Sequence, residues 1–225
     1  DSGGDMTATQ LSTNLGSSIV TIQSANGDIF VNDNITWSSG NTLTLSAYRN
    51  ININATIDAS GGSGGVVKLY YAQGGGAGDY NFGLSSTGFA GKINLHAGSN
   101  FYTKEGSGGN DTAWTVITRL GTDTDATTTP SSNSLQGLAY DNFSTGGSYA
   151  NLSGKFVLGA DIDASATSGN WDSGRGFIPI GGLSTGPFTG RFDGLGHRIT
   201  DLTINRTADY QGLFAKVQGS GTVRN

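Results

Sequence analysis

The feature that most constrains this chain is a short strand-like pattern that recurs along its first half. Residues 20–24 (VTIQS) are matched by residues 43–47 (LTLSA), so that Val20 corresponds to Leu43. Residues 28–32 (DIFVN) are matched by residues 50–54 (NININ), so that Ile29 corresponds to Ile51. Self-similarity at a nearly fixed spacing is typical of repeat architectures, in which each unit stacks on the previous one.

Two further passes extend this pattern. Residues 66–72 (VVKLYYA) put Leu69 in the place of Leu45, and residues 91–97 (GKINLHA) put Leu95 in that place once more. Each pass alternates apolar and polar residues and ends at Gly, Asn, Asp or Ser, as half-buried strands do. One pass cannot cover its own apolar side, so stacking must bury it. We therefore predict an all-β fold, a right-handed parallel β-helix (β-solenoid) of about 20–25 residues per coil with loop excursions.

An antiparallel sandwich is the alternative all-β fold, because it also consists of short strands and frequent turns. Equivalent positions carry identical residues, however: Thr21 corresponds to Thr44, and Asn32 to Asn54. Stacked coils explain such identities as ladders of like side chains, whereas a sandwich gives no reason for them. The polar stretch 121–130 predicts a boundary near residue 125.

Composition excludes several function classes. The chain contains 38 Gly and no Cys, and 35% of its residues are hydrophobic. Its net charge is −5. Without a Lys/Arg cluster, binding to nucleic acid is not expected. No apolar run approaches the roughly 18 residues of a transmembrane helix. The absence of Cys excludes disulfides and thiolate metal sites, and it suits a chain that is exported unfolded.

Several segments resemble the filamentous-haemagglutinin-like large exoproteins of two-partner secretion systems, an adhesin family. Residues 26–33, 35–45 and 50–54 look like the repeat signature of that family. Residues 158–164 and 188–199 look like the segment that precedes a GLUG-type motif in such proteins.

The GLUG-type motif lies near the C-terminus, although Ala215 departs from its usual Gly. We interpret its residues as structural: Gly212, Leu213, Phe214, Gly219, Gly221 and Asn225.

The resemblance implies a secreted, extracellular protein of the bacterial cell surface, a structural and adhesive rod that mediates attachment, aggregation or biofilm formation. Residues 1–125 would hold haemagglutinin-type repeats, and residues 126–225 would continue the β-helix into the GLUG-type motif, as one rod cut from a longer chain. The implied partners are an outer-membrane transporter during export, then host or bacterial surface glycans or proteins, or other copies of the chain. No cofactor is implied.

A carbohydrate-active enzyme, a polysaccharide lyase or hydrolase, is the main alternative function. Glycoside hydrolysis generally needs two carboxyl groups on either side of the sugar bond. The chain has only one glutamate, Glu105. The best candidate pair of carboxyl groups is Asp161 and Asp163, two residues apart on one strand. These two aspartates are also weak candidates for a metal site. More often such residues cap turns, so we assign no catalytic residue and no metal, and predict that the chain is not an enzyme. An ice-binding solenoid is less favoured still, because its Thr-x-Thr motif at residues 42–44 does not recur at coil spacing.

Aromatic residues are stronger candidates for a binding site than the aspartates. Tyr70 and Tyr71 are adjacent, so on a strand one of them must face outward. Together with Trp37 they are candidates for stacking on a sugar ring, although packing inside the fold is the more common role for each tryptophan. Asn-x-Ser/Thr sequons occur at six asparagines, a number that chance explains in a chain this rich in Asn and hydroxyl residues: Asn34, Asn54, Asn110, Asn142, Asn151 and Asn205.

Overall fold

The computed structural model describes residues 6–126, 133–139, 152–182, 186–207 and 209–225. The chain forms two compact units. Unit 1 comprises residues 1–116, 195–197 and 225, and unit 2 comprises residues 117–194 and 198–224. Two of the sequons, Asn142 and Asn151, lie outside the described residues. No helix in the described ranges has the length and apolar character needed to cross a membrane.

Unit 1 begins with one α-helix and continues as short strands. The helix is α1 (Ala8–Ser17). The strands are β1 (Val20–Gln23), β2 (Ile29–Val31), β3 (Ile35–Thr36), β4 (Thr42–Ser46), β5 (Ile51–Ile53), β6 (Thr56–Asp58), β7 (Val66–Tyr71), β8 (Tyr80–Phe82), β9 (Leu84–Ser85), β10 (Gly88–Phe89), β11 (Lys92–Asn94), β12 (Gly98–Glu105) and β13 (Thr112–Ile117).

The strands of unit 1 pair mainly in parallel. The main sheet has the order β1-β4-β7-β12-β13, and two three-stranded sheets have the orders β2-β5-β8 and β3-β6-β11. Val20 pairs with Leu43, and Ile29 with Ile51, so the correspondence read from the sequence is confirmed for these strands. The ladder of like side chains is confirmed too, because the Asn54 amide donates a 2.8 Å hydrogen bond to the Asn32 side-chain oxygen.

The spacing beyond residue 71 departs from the prediction. Leu69 does not pair with Leu95, since β11 lies beside β6 with Ile93 opposite Ile57. On the side of β7 away from β4 the partner strand is β12, in which Phe101 pairs with Val67. The segment between these strands forms β8, the β9–β10 hairpin and β11, so a longer stretch of chain separates β7 from β12 than separates β4 from β7.

The predicted fold class, an all-β right-handed parallel β-helix of about 20–25 residues per coil, is wrong. The structure is mixed α/β: mostly parallel strands form a main sheet with several small sheets, and α1 packs against β1 and β3. The sheet is also not uniformly parallel, because β13 runs antiparallel to β12, with Trp114 opposite Phe101. A strand repeat reports which segments pair, but it carries no information about a helix outside the repeat or a hairpin that reverses the chain.

Helix α1 is stabilised by local interactions that the strand repeat does not predict. Thr7 caps its first turn, and Gln10 bonds back to the Thr7 backbone, which completes a capping box. Leu11 and Leu15 lie four residues apart on one face of the helix, and both are buried. The Ser12 hydroxyl accepts a 3.0 Å hydrogen bond from the Thr36 backbone amide. The helix thereby covers apolar side chains at the end of the sheets where β1 and β3 lie.

Unit 2 contains short strands and 3₁₀ turns around an aromatic core. Its 3₁₀ turns are Asp123–Ala126, Gln136–Ala139 and Ser165–Thr167, and its strands are β14 (Lys155–Leu158), β15 (Ile162–Asp163), β16 (Arg191–Asp193), β17 (Ile199–Thr200) and β18 (Thr222–Arg224). β14, β16 and β18 pair in parallel, as do β15 and β17. The fully buried Gln136 is satisfied by Trp171 and by both backbone groups of Ile178, each at 3.0 Å. A buried amide with its partners in place is tolerated in an apolar core.

A carboxylate at position 53 should unfold much of unit 1. Ile53 is 0% exposed and lies between Val31 and Phe82 in the β2-β5-β8 sheet. Ile53→Asp would bury an unpaired charge, so we expect the free energy of unfolding to fall by at least about 3 kcal/mol. Urea unfolding measures the loss. Asn52→Asp is the matched control, because its side chain is on the other face of β5 and should cost little; equal losses would contradict the burial.

Truncation of a buried side chain of α1 should also lower the free energy of unfolding. Leu15→Ala leaves a cavity under α1 and is expected to lower the free energy of unfolding by about 2–5 kcal/mol. Thr9→Ala, at an exposed position of the same helix, should leave it unchanged or raise it slightly, since Ala favours helix. Thermal unfolding of the two variants tests this, and an unaffected Leu15→Ala protein would show that α1 is not part of the folded core.

Candidate functional site

The structure decides which of the two adjacent tyrosines faces outward. The Tyr71 ring packs against the ring of the buried Tyr80, with the centroids 5.6 Å apart. Tyr70 lies on the opposite face of β7 together with Lys68, whereas Val67 and Leu69, which alternate with them, are buried at 0% exposure. Of the pair, Tyr70 is therefore the outward residue and Tyr71 is a packing residue.

The outer face of β7 and β12 carries an alternating arrangement of tyrosines and lysines. Lys68 pairs with Tyr102, and Tyr70 pairs with Lys104. The Lys104 ammonium lies 4.2 Å from the centroid of the Tyr70 ring, and the Lys68 ammonium lies 5.1 Å from that of Tyr102. Both are cation–π contacts, which are strongest where solvent is partly excluded.

An aspartate from the loop after β12 completes the arrangement. The Asp111 carboxylate accepts hydrogen bonds from Lys68 Nζ at 2.9 Å and from the Tyr70 hydroxyl at 3.0 Å. The Asp111 and Lys68 side chains are 35% and 29% exposed, so these groups remain accessible to a ligand. The five residues Lys68, Tyr70, Tyr102, Lys104 and Asp111 are called the Tyr-Lys surface below.

The adjacent strand adds small hydroxyl side chains. Thr44 and Ser46 of β4 pair with Lys68 and Tyr70, respectively. Thr44 is buried and Ser46 half-buried, so the lysine and tyrosine side chains are the larger groups of this face. Two of the five lysines of an otherwise acidic chain lie here.

The contacts alter the ionisation of these groups. The hydrogen bond to Asp111 raises the pKa of Lys68 despite the opposing effect of burial. Burial and the same carboxylate raise the pKa of Tyr70. Burial alone would raise the pKa of Asp111, but the hydrogen bonds from Lys68 and Tyr70 outweigh it, so that pKa lies below its ordinary value. These pKa shifts favour the charged Lys68 ammonium, the charged Asp111 carboxylate and the neutral Tyr70 phenol.

Trp37, the third candidate for sugar stacking, does not present its ring to solvent. It is 5% exposed, and its indole N–H donates a 3.1 Å hydrogen bond to the Asn41 carbonyl. A Cβ added to Gly65 would lie 2.1 Å from the Trp37 indole nitrogen, which shows how closely the backbone covers the ring. Trp37 packs inside unit 1, as tryptophans in sheets usually do.

The two aspartates considered for a metal site serve backbone groups instead. One Asp163 oxygen accepts a 2.8 Å hydrogen bond from the Ser165 amide, and hydrogen bonds with Ser165 lower the pKa of Asp163. Asp161 accepts a 3.1 Å hydrogen bond from the Arg198 amide. In the ranges that the structure describes, no three His, Cys, Asp or Glu side chains come together as metal ligands would.

Most residues of the predicted GLUG-type motif pack within unit 2. The Phe214 ring lies 4.9 Å from that of Phe188 and 5.3 Å from that of Phe192, and the Leu213 carbonyl accepts a hydrogen bond from Ile180. A Cβ on Gly221 would lie 2.6 Å from the Phe188 carbonyl. Gly219 and Asn225 have positive φ angles of 66° and 57°, and a Cβ on Gly212 would approach Phe214. Phe214, Leu213 and Gly221 thus support the core and turns of unit 2.

Sequence reasoning missed Lys68, Tyr102, Lys104 and Asp111. The alternation of apolar and polar residues along β7 and β12 is the signal that could have identified Lys68, Tyr102 and Lys104 as outward residues. Their proximity depends on the register that pairs Val67 with Phe101, which the repeat spacing does not predict. Asp111 reaches them only because the chain reverses after β12.

Comparison with known proteins gives one partial match. A stretch of 71 residues is 44% identical to halomucin from Haloquadratum walsbyi; it covers 31% of this chain and 1% of the length of that protein. No family model matches the chain, and no solved structure matches it.

The pH dependence of stability should report the Lys68–Asp111–Tyr70 contacts. Because the pKa of Asp111 is lowered on folding, its contribution is full above the unfolded value of about 3.9 and is lost as the pH falls through the folded pKa. The raised pKa of Lys68 gives a contribution that is full below the unfolded value of about 10.4 and is lost as the pH rises through the folded pKa.

Asp111→Asn should therefore lower the free energy of unfolding by about 1 kcal/mol or less between about pH 5 and 9, because exposed pairs are screened. The difference should shrink below about pH 3, where the wild-type carboxylate is protonated as well. Urea unfolding across this pH range measures it. A difference that stayed constant into strong acid would show that the carboxylate charge is not involved.

Proposed function

We propose that this chain is part of a secreted cell-surface protein and attaches to glycans through the Tyr-Lys surface. The observation that carries the proposal is the meeting of two tyrosine rings, two ammonium groups and a carboxylate on one partly exposed sheet face. Attachment, aggregation or biofilm formation would follow from such binding. The proposed partners also include surface proteins and other copies of the chain.

The chemistry of the surface suits a sugar. The apolar face of a pyranose packs on a tyrosine ring, as apolar groups generally do on aromatic faces. Its hydroxyl groups would donate to the Asp111 carboxylate and accept from the lysine ammonium groups, and such charge-assisted hydrogen bonds are stronger than neutral ones. Ser46 would add a neutral donor and acceptor at the edge.

The location rests on separate support. The partial likeness to halomucin favours the cell surface. The absence of Cys from the chain suits export in an unfolded state. Export through an outer-membrane transporter, which the resemblance to two-partner secretion exoproteins implies, remains a prediction. The proposal assigns the chain binding rather than catalysis.

A glycan array followed by titration of the strongest ligand tests the proposal. We expect the double variant Tyr70→Ala/Tyr102→Ala to raise the Kd roughly tenfold or more, since each aromatic contact contributes about 0.5–1.5 kcal/mol. Tyr210→Ala is the matched control: this tyrosine is 51% exposed and belongs to unit 2. Circular dichroism confirms that both variants are folded.

Two outcomes would contradict the proposal. If the wild-type protein bound no glycan on the array, glycans would be excluded as the ligand class. Unchanged affinity in the folded double variant, or an equal loss in Tyr210→Ala, would show that binding occurs elsewhere.

A further inference from the structure

The six sequons are alike as sequence motifs, but the structure distinguishes the four that it describes. Three of the asparagines have side chains held by hydrogen bonds to a neighbouring segment. The Asn34 oxygen accepts from the Thr56 amide at 3.0 Å, and the Asn54 amide donates to Asn32 at 2.8 Å. The Asn205 amide donates to the Gly174 carbonyl at 3.3 Å.

Asn54 is confined from a second side as well. A Cβ added to Gly83 would lie 2.6 Å from the Asn54 side-chain oxygen, so the side chain lies against the backbone of the next strand segment. Asn54 is exposed, but a sugar attached to its amide nitrogen would compete with the hydrogen bond to Asn32. Modification there is therefore opposed by this hydrogen bond.

Asn110 is in a different setting. All four described sequon asparagines are exposed, but Asn110 lies in the loop between β12 and β13, where the chain reverses direction. Within the described part of the chain, neither its side-chain amide nor the Thr112 hydroxyl takes part in a hydrogen bond. The intervening residue, Asp111, is fixed by Lys68 and Tyr70, so the loop is anchored while the acceptor next to it is accessible.

We propose that Asn110 is a site of N-linked glycosylation and that the other described sequons are disfavoured in the folded protein. In this reaction the Asn110 Nδ2 forms a bond to the anomeric carbon of a sugar. The bond from that carbon to the phosphate of a lipid pyrophosphate donor breaks, the lipid pyrophosphate leaves, and Nδ2 loses one proton. Thr112 supplies the hydroxyl that the glycosyltransferase reads in the sequon. The proposal goes beyond the proposed function, because it concerns a sugar that the chain carries.

The test compares the folded and the urea-unfolded chain as substrates of a purified oligosaccharyltransferase that recognises Asn-x-Ser/Thr, with a lipid pyrophosphate oligosaccharide as donor. The unfolded chain is diluted into the assay immediately before the reaction, and peptide mass spectrometry gives the occupancy of each asparagine. In the folded chain we expect Asn110 to be modified about tenfold more than Asn34, Asn54 or Asn205, because those side chains must first break a hydrogen bond. In the unfolded chain this preference should disappear.

Variants of the sequon sharpen the result. Asn110→Gln and Thr112→Val should abolish the modification, and Thr112→Ser should retain it. Asn54→Gln is the matched control and should leave the occupancy of Asn110 unchanged. An unmodified Asn110 in the folded chain, or occupancy at Asn34 or Asn54 that equals it, would overturn the proposal.

Discussion

Unit 1 depends on parallel pairing between segments that follow one another along the chain at a nearly constant spacing. This register sets Leu43 over Val20 and Leu69 over Leu45, so that equivalent aliphatic side chains form continuous buried rows. The strands of unit 1 are only two to eight residues long, too short to be stable alone. The backbone hydrogen bonds and the buried rows therefore depend on each other, and loss of one row should affect every neighbouring strand.

The same register determines what the outer face can hold. Because side chains alternate along a strand, burial of Val67, Leu69 and Phe101 requires Lys68, Tyr70 and Tyr102 to face outward. Cross-strand contacts then form between neighbouring outward residues, as the cation–π contacts show. Such contacts stabilise the sheet modestly, and they would preorganise the surface for the proposed ligand, since the rings and ammonium groups are already held in place.

The sequence predicted the local pairing but not the whole architecture. Identical residues such as Thr21 and Thr44 identified the true register, because stacked strands place like positions together. Leu95 was misassigned because apolar alternation identifies a strand without identifying its partner. Helix α1 was not predicted, since its two buried leucines give a weak pattern. Trp37 was a candidate for sugar stacking although packing was the favoured interpretation, and it is packed against the backbone of Gly65. Asp111 entered the candidate site through a chain reversal that no spacing encodes.

The candidate site lies where the repeat pattern is interrupted, and this follows from the physics of stacked strands. A regular parallel sheet offers the same outward chemistry on each strand, so it can be stable without being selective. The loop between β12 and β13 breaks that regularity: it returns Asp111 to the face formed by Lys68 and Tyr70, and it leaves Asn110 exposed beside them. Loops tolerate such insertions because their ends are fixed by the strands they join. The proposed glycan recognition would therefore depend on a loop that the sheet supports, not on the repeat itself.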